Sequence, residues 1–333
     1  MTKIDLRKLN ETYPEKTLGE PKFILSNDFL IKNQYLCHGG SVPPANEPRL
    51  LIFVKSAIQN RQARQAIRIT WAKKDFLQKN SVRVAFVLGI NKENFNIDQE
   101  SKDFGDIIQI DKIDYYYYNS YKMVMMLRWV DKYCTSKSFN ENLYNYVLFI
   151  DDDYYLDLNS LLTYLNKIDQ DPQMTTEDRR TFITGYAYRE SRPRRYLNDR
   201  WYISMDDYPY DRYPPYVTAG CFLMTRSNAR LFHIASNYIR LFRFDDIYMG
   251  LLAYSMSIPI IPNNELFSSY SSSIVSFDNQ TGGLFTKWKT FFSQQIDMRS
   301  SLRPICIHGY RGNDLIQIWN HLYSTNLTLS VLY

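Results

Sequence analysis

The sequence has no run of about 18 uninterrupted apolar residues, the length a membrane-spanning helix needs, and its first nine residues carry charges throughout. Neither an anchor nor a signal peptide is expected within this chain. Cysteine is scarce: Cys37, Cys134, Cys221 and Cys306 lie far apart without Cys-x-x-Cys spacing. That gives no support to a zinc ribbon or a thioredoxin motif, and leaves two disulfides or four buried thiols as readings. With only 4 His, a His-rich zinc centre has little to draw on. An excess of one charge is also missing, since 40 Lys and Arg against 35 Asp and Glu leave +5, which does not indicate a nucleic-acid partner. The absence of a Walker loop speaks against a P-loop ATPase.

What is present points to a folded body of one large or two modest domains. Hydrophobic residues make up 45% and charged residues 23% of the 333, a balance that excludes a mainly disordered chain. The aromatic share is high, at 16% with 28 Tyr. Rings with a polar tip suit cores and wet clefts alike, a hint of a sugar-binding surface. Asn-x-Ser/Thr sequons at Asn10, Asn279 and Asn326 occur at about the frequency chance gives. Residues 1–48 are polar and broken by Pro14, Pro21, Pro43, Pro44 and Pro48, which reads as an irregular lead-in or stem before a body over 49–333.

From Arg49 onward short apolar runs alternate with longer amphipathic segments, the texture of an α/β layer fold. Strands are expected over 50–54, 82–88, 106–110, 146–150, 181–185 and 258–261, and helices over 57–71, 119–133, 227–241 and 245–254, with another beginning at 158. Met123, Met126, Leu127 and Val130 recur at helical spacing, a core stripe. Tyr213-Pro214-Pro215-Tyr216 reads as a turn leading to Ala219-Gly220-Cys221, and the Ser-rich stretch 268–276 as a loop.

The strand at 146–150 runs straight into Asp151-Asp152-Asp153. Ligands of open α/β sheets sit beyond the carboxyl ends of strands, so a site is expected there. Adjacent carboxylates are costly to hold together unless a cation or hydrogen bonds compensate. As hard oxygen ligands, Asp151 and Asp153 suit Mg²⁺ or Mn²⁺ bridging to a nucleotide diphosphate; a solvated acidic turn capping the next helix is the competing reading. A prenyl-diphosphate motif fails because position 155 is Tyr155. Asp245-Asp246 opens a helix, either to complement its dipole or to supply a general base. His308 closes the apolar run Ile305-Cys306-Ile307, as a structural hydrogen-bonding residue or a metal ligand.

Collinear segments over roughly residues 50–320 carry a resemblance. They read RQAIRITW from Arg64, FVLG from Phe86, FGDIIQIDKIDYYYYNSYKMVMMLRWVDKYC from Phe104, YVLFIDDDYYLDLNSLLTYL from Tyr146, WYISMDDYPYDRYPPYVTAGCFLMT from Trp201, DDIYMGLLAYSMSIPIIP from Asp245 and ICIHGYRGNDLIQIW from Ile305. Together they resemble the β-1,3-glycosyltransferase family of galactosyl- and N-acetylglucosaminyltransferases. The family's N-L-T-x-K is here Asn119-Ser120-Tyr121-Lys122, and its Gly-rich run is Ala219-Gly220-Cys221.

The resemblance implies an α/β, GT-A type single domain with a mixed, mostly parallel central sheet. It implies an inverting transfer of galactose or N-acetylglucosamine from a UDP-sugar to a glycan hydroxyl in β-1,3 linkage, the alternative being a catalytically silent glycan-binding protein on the same scaffold. Carried over by residue, Asp151 and Asp152 bind the donor, Asp153 and His308 hold Mn²⁺, and Asp246 is the general base. Arg64, Arg68, Lys122 and Gly220 fall on the donor side; Asp245, Trp201, Tyr208 and Tyr213 on the acceptor side. The implied partners are the UDP-sugar and a glycan on glycoprotein or glycolipid. Nucleic acid is not among them, and a membrane is met only through an anchor outside this sequence. The implied location is the Golgi lumen, where the cysteines can pair. Arg192, Arg194 and Arg195 read as a solvated basic loop, with an acidic glycan as the alternative.

Overall fold

The computed structural model describes residues 3–38, 48–91, 97–115, 118–134, 145–264, 266–268 and 304–329. The strands among them are β1 (Phe29–Ile31), β2 (Leu50–Lys55), β3 (Val82–Ile90), β4 (Ile107–Ile113), β5 (Tyr146–Asp151), β6 (Tyr154–Leu156), β7 (Ile183–Tyr188), β8 (Tyr216–Thr225), β9 (Ile261–Pro262), β10 (Phe267–Ser268) and β11 (Cys306–His308). Eight of them form one sheet in the order β1-β4-β3-β2-β5-β8-β7-β9. Strands β2 to β5 run parallel, while β1 and β8 pair antiparallel with β4 and β5. The α/β architecture with a mixed, mostly parallel sheet is the one expected.

Both faces of the sheet are covered, which is why its central strands read as unbroken apolar runs. Side chains alternate between two cores: Leu51, Phe53, Val147 and Phe149 pack on one face, and Leu50, Ile52, Val54, Leu148 and Ile150 on the other. The first face is closed by helices Asn119–Cys134, Arg226–Ser236 and Asp245–Ser255. There Phe53 meets the edge of Trp129 at 5.5 Å and Phe149 stacks on Phe222 at 4.9 Å. Helices Arg61–Ile69, Leu158–Gln170 and Asn313–Leu329 lie over the second face. None of the described helices is long and apolar enough to cross a membrane.

Several expectations are corrected. Ile4, Phe29 and Cys37 are buried, and β1 pairs with β4, so the described part of 1–48 packs on the body and is no loose lead-in. The helix expected over 57–71 is confined to Arg61–Ile69; before it, Ala57 closes a turn by accepting from Asn60 N, and the carbonyls of Ala57 and Ile58 accept from the Arg64 guanidinium. The helix expected to reach 241 ends at Ser236, and the strand expected over 258–261 is Ile261–Pro262. The expected turn at Tyr213–Tyr216 leads into the ten-residue β8 (Tyr216–Thr225), a strand not expected there, which takes in Ala219-Gly220-Cys221. Of 268–276 only Ser268 is described, at the end of β10, and Asn279 lies outside the described residues. The cysteines pair as Cys37–Cys134 and Cys221–Cys306.

Candidate active site

The site lies where β2 and β5 end, with Lys55 and Asp151 opposite each other in register. Asp152 turns inward and is buried. It accepts from Ser56 at 2.7 Å, Asn60 at 2.8 Å and Arg311 at 2.8 Å. Those three donors compensate one of the adjacent charges and turn the other two acids outward. Asp152 thus braces the turn.

Asp153 reaches the second, three-stranded sheet, β10-β11-β6. The antiparallel register of β6 and β11 sets His308 opposite Tyr154, with His308 Nε2 at 3.4 Å from Asp153 Oδ2. The Asp153 carbonyl accepts from Gly309 and Tyr310, both at 2.9 Å. Burial opposes ionisation of Asp153, but His308 and Arg311 hold its carboxyl below the usual range. The same contact raises His308 against its own burial. Asp153 Oδ1 is buried without a hydrogen-bond partner among the described residues. An unpartnered carboxylate oxygen beside an imidazole fits a divalent cation such as Mn²⁺, which accepts hard oxygen and borderline nitrogen. Among the described residues no group of three or more His, Cys, Asp or Glu is placed to hold a metal.

Lys55 bridges the two acidic segments. Its ammonium is 2.9 Å from Asp151 and 2.9 Å from Asp245. Burial alone disfavours its charge, yet the two carboxylates outweigh that and raise its pKa above the ordinary value. Burial also pushes Asp151 up to about 6 against the pull of Lys55, with Asp153 and Asp245 adding to the rise. Asp246 sits one residue further into the helix Asp245–Ser255, and Ile247 N donates to its Oδ1 at 2.7 Å. Burial and the neighbouring Asp245 push it up to about 7. A half-buried carboxylate whose pKa lies near neutrality is suited to accepting a proton.

Other expected donor contacts are revised. Arg64 is fully buried and gives its guanidinium to Glu100, in two bonds of 2.7 Å, and to loop atoms of Ser56, Ala57 and Ile58. It shapes the loop after β2 and does not reach a ligand. Arg68 is committed to Asp106, at 2.8 Å through both nitrogens, and to Glu100. Lys122 holds Asp114 at 2.7 Å and the Ser56 carbonyl at 3.0 Å. Gly220 makes room for a side chain and not for a sugar: a Cβ there would meet the Tyr154 ring, within 2.8 Å of Cζ. Tyr154 in turn packs on the His308 ring at 5.0 Å.

On the acceptor side Trp201 is exposed and meets Phe244 edge-on at 5.7 Å. Tyr213 is buried with its hydroxyl unpartnered, and the Asp246 charge adds to the burial that keeps it protonated. Tyr208 is buried behind it, 4.8 Å away ring to ring, and donates to the Arg212 carbonyl. Arg195 is no solvated loop residue. It staples the carbonyls of Ile203, Ser204, Tyr208 and Tyr210.

Sequence reasoning missed Lys55, Arg311 and Tyr154. A lysine closing the apolar run 50–54 at a strand's carboxyl end was a usable signal. Arg311 stood three residues after His308, but only folding brings it to Asp152. Nothing local marks Tyr154.

The Galactosyltransferase family model matches residues 62–264. A β-1,3-galactosyltransferase of Drosophila melanogaster is 35% identical over 65% of this chain and 63% of its own length, so the match spans less than two thirds of that relative. β-1,3-Galactosyltransferase 1 of Homo sapiens is 28% identical over 90% of this chain and 79% of its own. A lactosylceramide 1,3-N-acetyl-β-D-glucosaminyltransferase of Xenopus laevis is 28% identical over 72% and 61%. With its matched segment holding the acidic triplet and the Asp245-Asp246 pair, the chain belongs to the galactosyltransferase family, among the β-1,3-glycosyltransferases.

Proposed function

We propose that the protein is a hexosyltransferase that moves galactose or N-acetylglucosamine from a UDP-sugar to a glycan hydroxyl, with inversion, forming a β-1,3 linkage. The observation that carries this reading is that Lys55, 2.9 Å from both Asp151 and Asp245, joins two acidic segments that each carry one distinctive carboxyl. One is Asp153, ionised beside His308 with an oxygen to spare. The other is Asp246, raised toward neutrality at a helix start.

In this reading Asp151 accepts from the nucleotide ribose, while Asp153 and His308 hold a divalent ion, Mn²⁺ by the family pattern. When bound, that ion offsets the charge that grows on the departing diphosphate. Arg311, with its side chain 53% exposed, stands ready to contact the same phosphates. Asp246 takes the proton of the acceptor hydroxyl as that oxygen attacks the anomeric carbon, and a single carboxylate within hydrogen-bond reach suffices. Inversion needs no covalent nucleophile. Trp201, which is exposed, offers a ring face to the C–H side of a pyranose, and the buried Tyr213 packs behind the site. Two disulfides support an oxidising compartment such as the Golgi lumen, and the eight-stranded sheet, which draws β1 from the first 48 residues, supports a single body.

A UDP-release assay across UDP-sugars and a panel of sugar acceptors, with and without Mn²⁺, tests the proposal. Release that requires one UDP-sugar, one acceptor class and the metal supports it. Glycan binding without release points to the silent scaffold instead.

A further inference from the structure

A cleft opens beside Tyr208. It has a volume of about 560 Å³, and Tyr118, Tyr208, Tyr210 and Phe242 contribute its aromatic wall, with Asp207 and Arg240 at its rim. Three features set it apart from an ordinary surface hollow. Its loop is rigid, because the Arg195 guanidinium ties down four carbonyls between Ile203 and Tyr210. Two of its rings are presented to solvent, Tyr210 50% and Tyr118 42% exposed, while Tyr208 and Phe242 are buried behind them. Arg240 is exposed and makes no hydrogen bond or ion pair among the described residues.

The cleft also adjoins the acceptor side of the site. Tyr208 touches Tyr213 at 4.8 Å and Tyr210 at 5.2 Å, so a file of rings runs from the neighbourhood of Asp246 into the cleft. Flat rings held on a rigid loop, next to a free guanidinium and a carboxylate, are the chemistry that takes a pyranose: the faces cover its C–H side while the charged tips bind its hydroxyls. Since little ordering remains when the loop is already fixed, binding there wastes little entropy.

We propose that this cleft is a second acceptor subsite, which holds a sugar ring of an extended glycan one or two residues away from the hydroxyl being glycosylated. The proposal rests on the transferase reading for its purpose, though not for its existence. Asp246 then acts on the terminal sugar, and Tyr210 and Arg240 select for chain length.

An array of defined oligosaccharides, from mono- to hexasaccharides, tests it with the wild-type chain, Tyr210→Ala and Arg240→Ala. The wild type is expected to retain longer glycans better than disaccharides. Each variant is expected to lose about tenfold in retention of the longer glycans, down to the disaccharide level, with UDP affinity unchanged. For an acceptor that is turned over, KM rises for the long form only and kcat holds. Equal losses for short and long glycans, an unchanged pattern in both variants, or retention of no glycan overturns the proposal. Length-dependent retention that the variants lose, in a chain that transfers no sugar, keeps the subsite and removes the transferase reading.

Discussion

The Lys55 ammonium lies 2.9 Å from an Asp245 oxygen although 190 residues separate the two in sequence. The same nitrogen is 2.9 Å from Asp151, so one buried cation joins the acidic end of β5 to the helix that carries Asp246. Removing one partner of a buried ion pair leaves the rest uncompensated. Lys55→Met is therefore expected to lose roughly 2 kcal/mol of stability in urea unfolding, less than a fully buried pair would because Asp151 is partly exposed. Wild-type stability in that variant would show the bridge to be idle.

Asp246→Asn keeps the size and most hydrogen bonding of the side chain but cannot take a proton. Transfer is expected to fall by about 10²–10⁴-fold with UDP binding intact, and Asp245→Asn to cost less, because that acid pairs with Lys55 and lies at the helix start. Normal turnover in both variants returns the pair to a purely structural role.

The raised Asp246 gives opposite pH trends for activity and stability. As a base it works only when ionised, so kcat/KM is expected to climb with pH and level off above about 7. In folding, the native state keeps a proton that the unfolded chain has already lost. Stability is thus greatest below the ordinary carboxylate range, and declines as pH rises through about 7. Asp246→Asn, neutral at every pH, should melt higher than wild type at pH 7.5 and equal to it near pH 3. A variant that melts lower at pH 7.5 contradicts this.

If Asp153 and His308 hold the ion, chelation should weaken UDP binding in calorimetry, and Asp153→Ala should do so with metal present. His308→Ala should lower the metal's effect without abolishing folding. UDP affinity that EDTA leaves untouched removes the ion from the reading.

Gly220→Ala tests the packing behind the site. Its methyl group would enter the space of the Tyr154 ring, which backs His308. Overpacking of this kind costs roughly 1–3 kcal/mol, and the displaced ring should weaken metal-dependent UDP binding as well. Gly220→Ala/Tyr154→Phe should recover part of the stability, since the closest approach is to the Tyr154 hydroxyl. Identical melting of Gly220→Ala and wild type would show that Tyr154 moves aside freely.

The central strands and the acidic triplet were legible in the sequence because both are local. An apolar run buried on two faces needs no partner to be recognised, and neither do three adjacent carboxylates at its end. The lead-in was misread because polar, Pro-broken sequence gives no sign that Phe29 will pair with Ile110 across the sheet edge. The long strand β8 was missed for a related reason. Its Ala219-Gly220-Cys221 stretch has weak strand propensity, and pairing with β5 and β7 overrides it.

The sequence by itself determined which residues are able to ionise, ligate or stack, and the order in which they meet the chain. Which carboxylates and carbonyls each arginine meets was decided only in three dimensions. Arg64 reads as a donor contact but spends its donors on Glu100 and its own loop, while Arg311 reaches Asp152 from 159 residues away. The physical reason is that a guanidinium's role depends on which carboxylates and carbonyls come within 3 Å of it, and side chains so distant in sequence meet only when the sheets close.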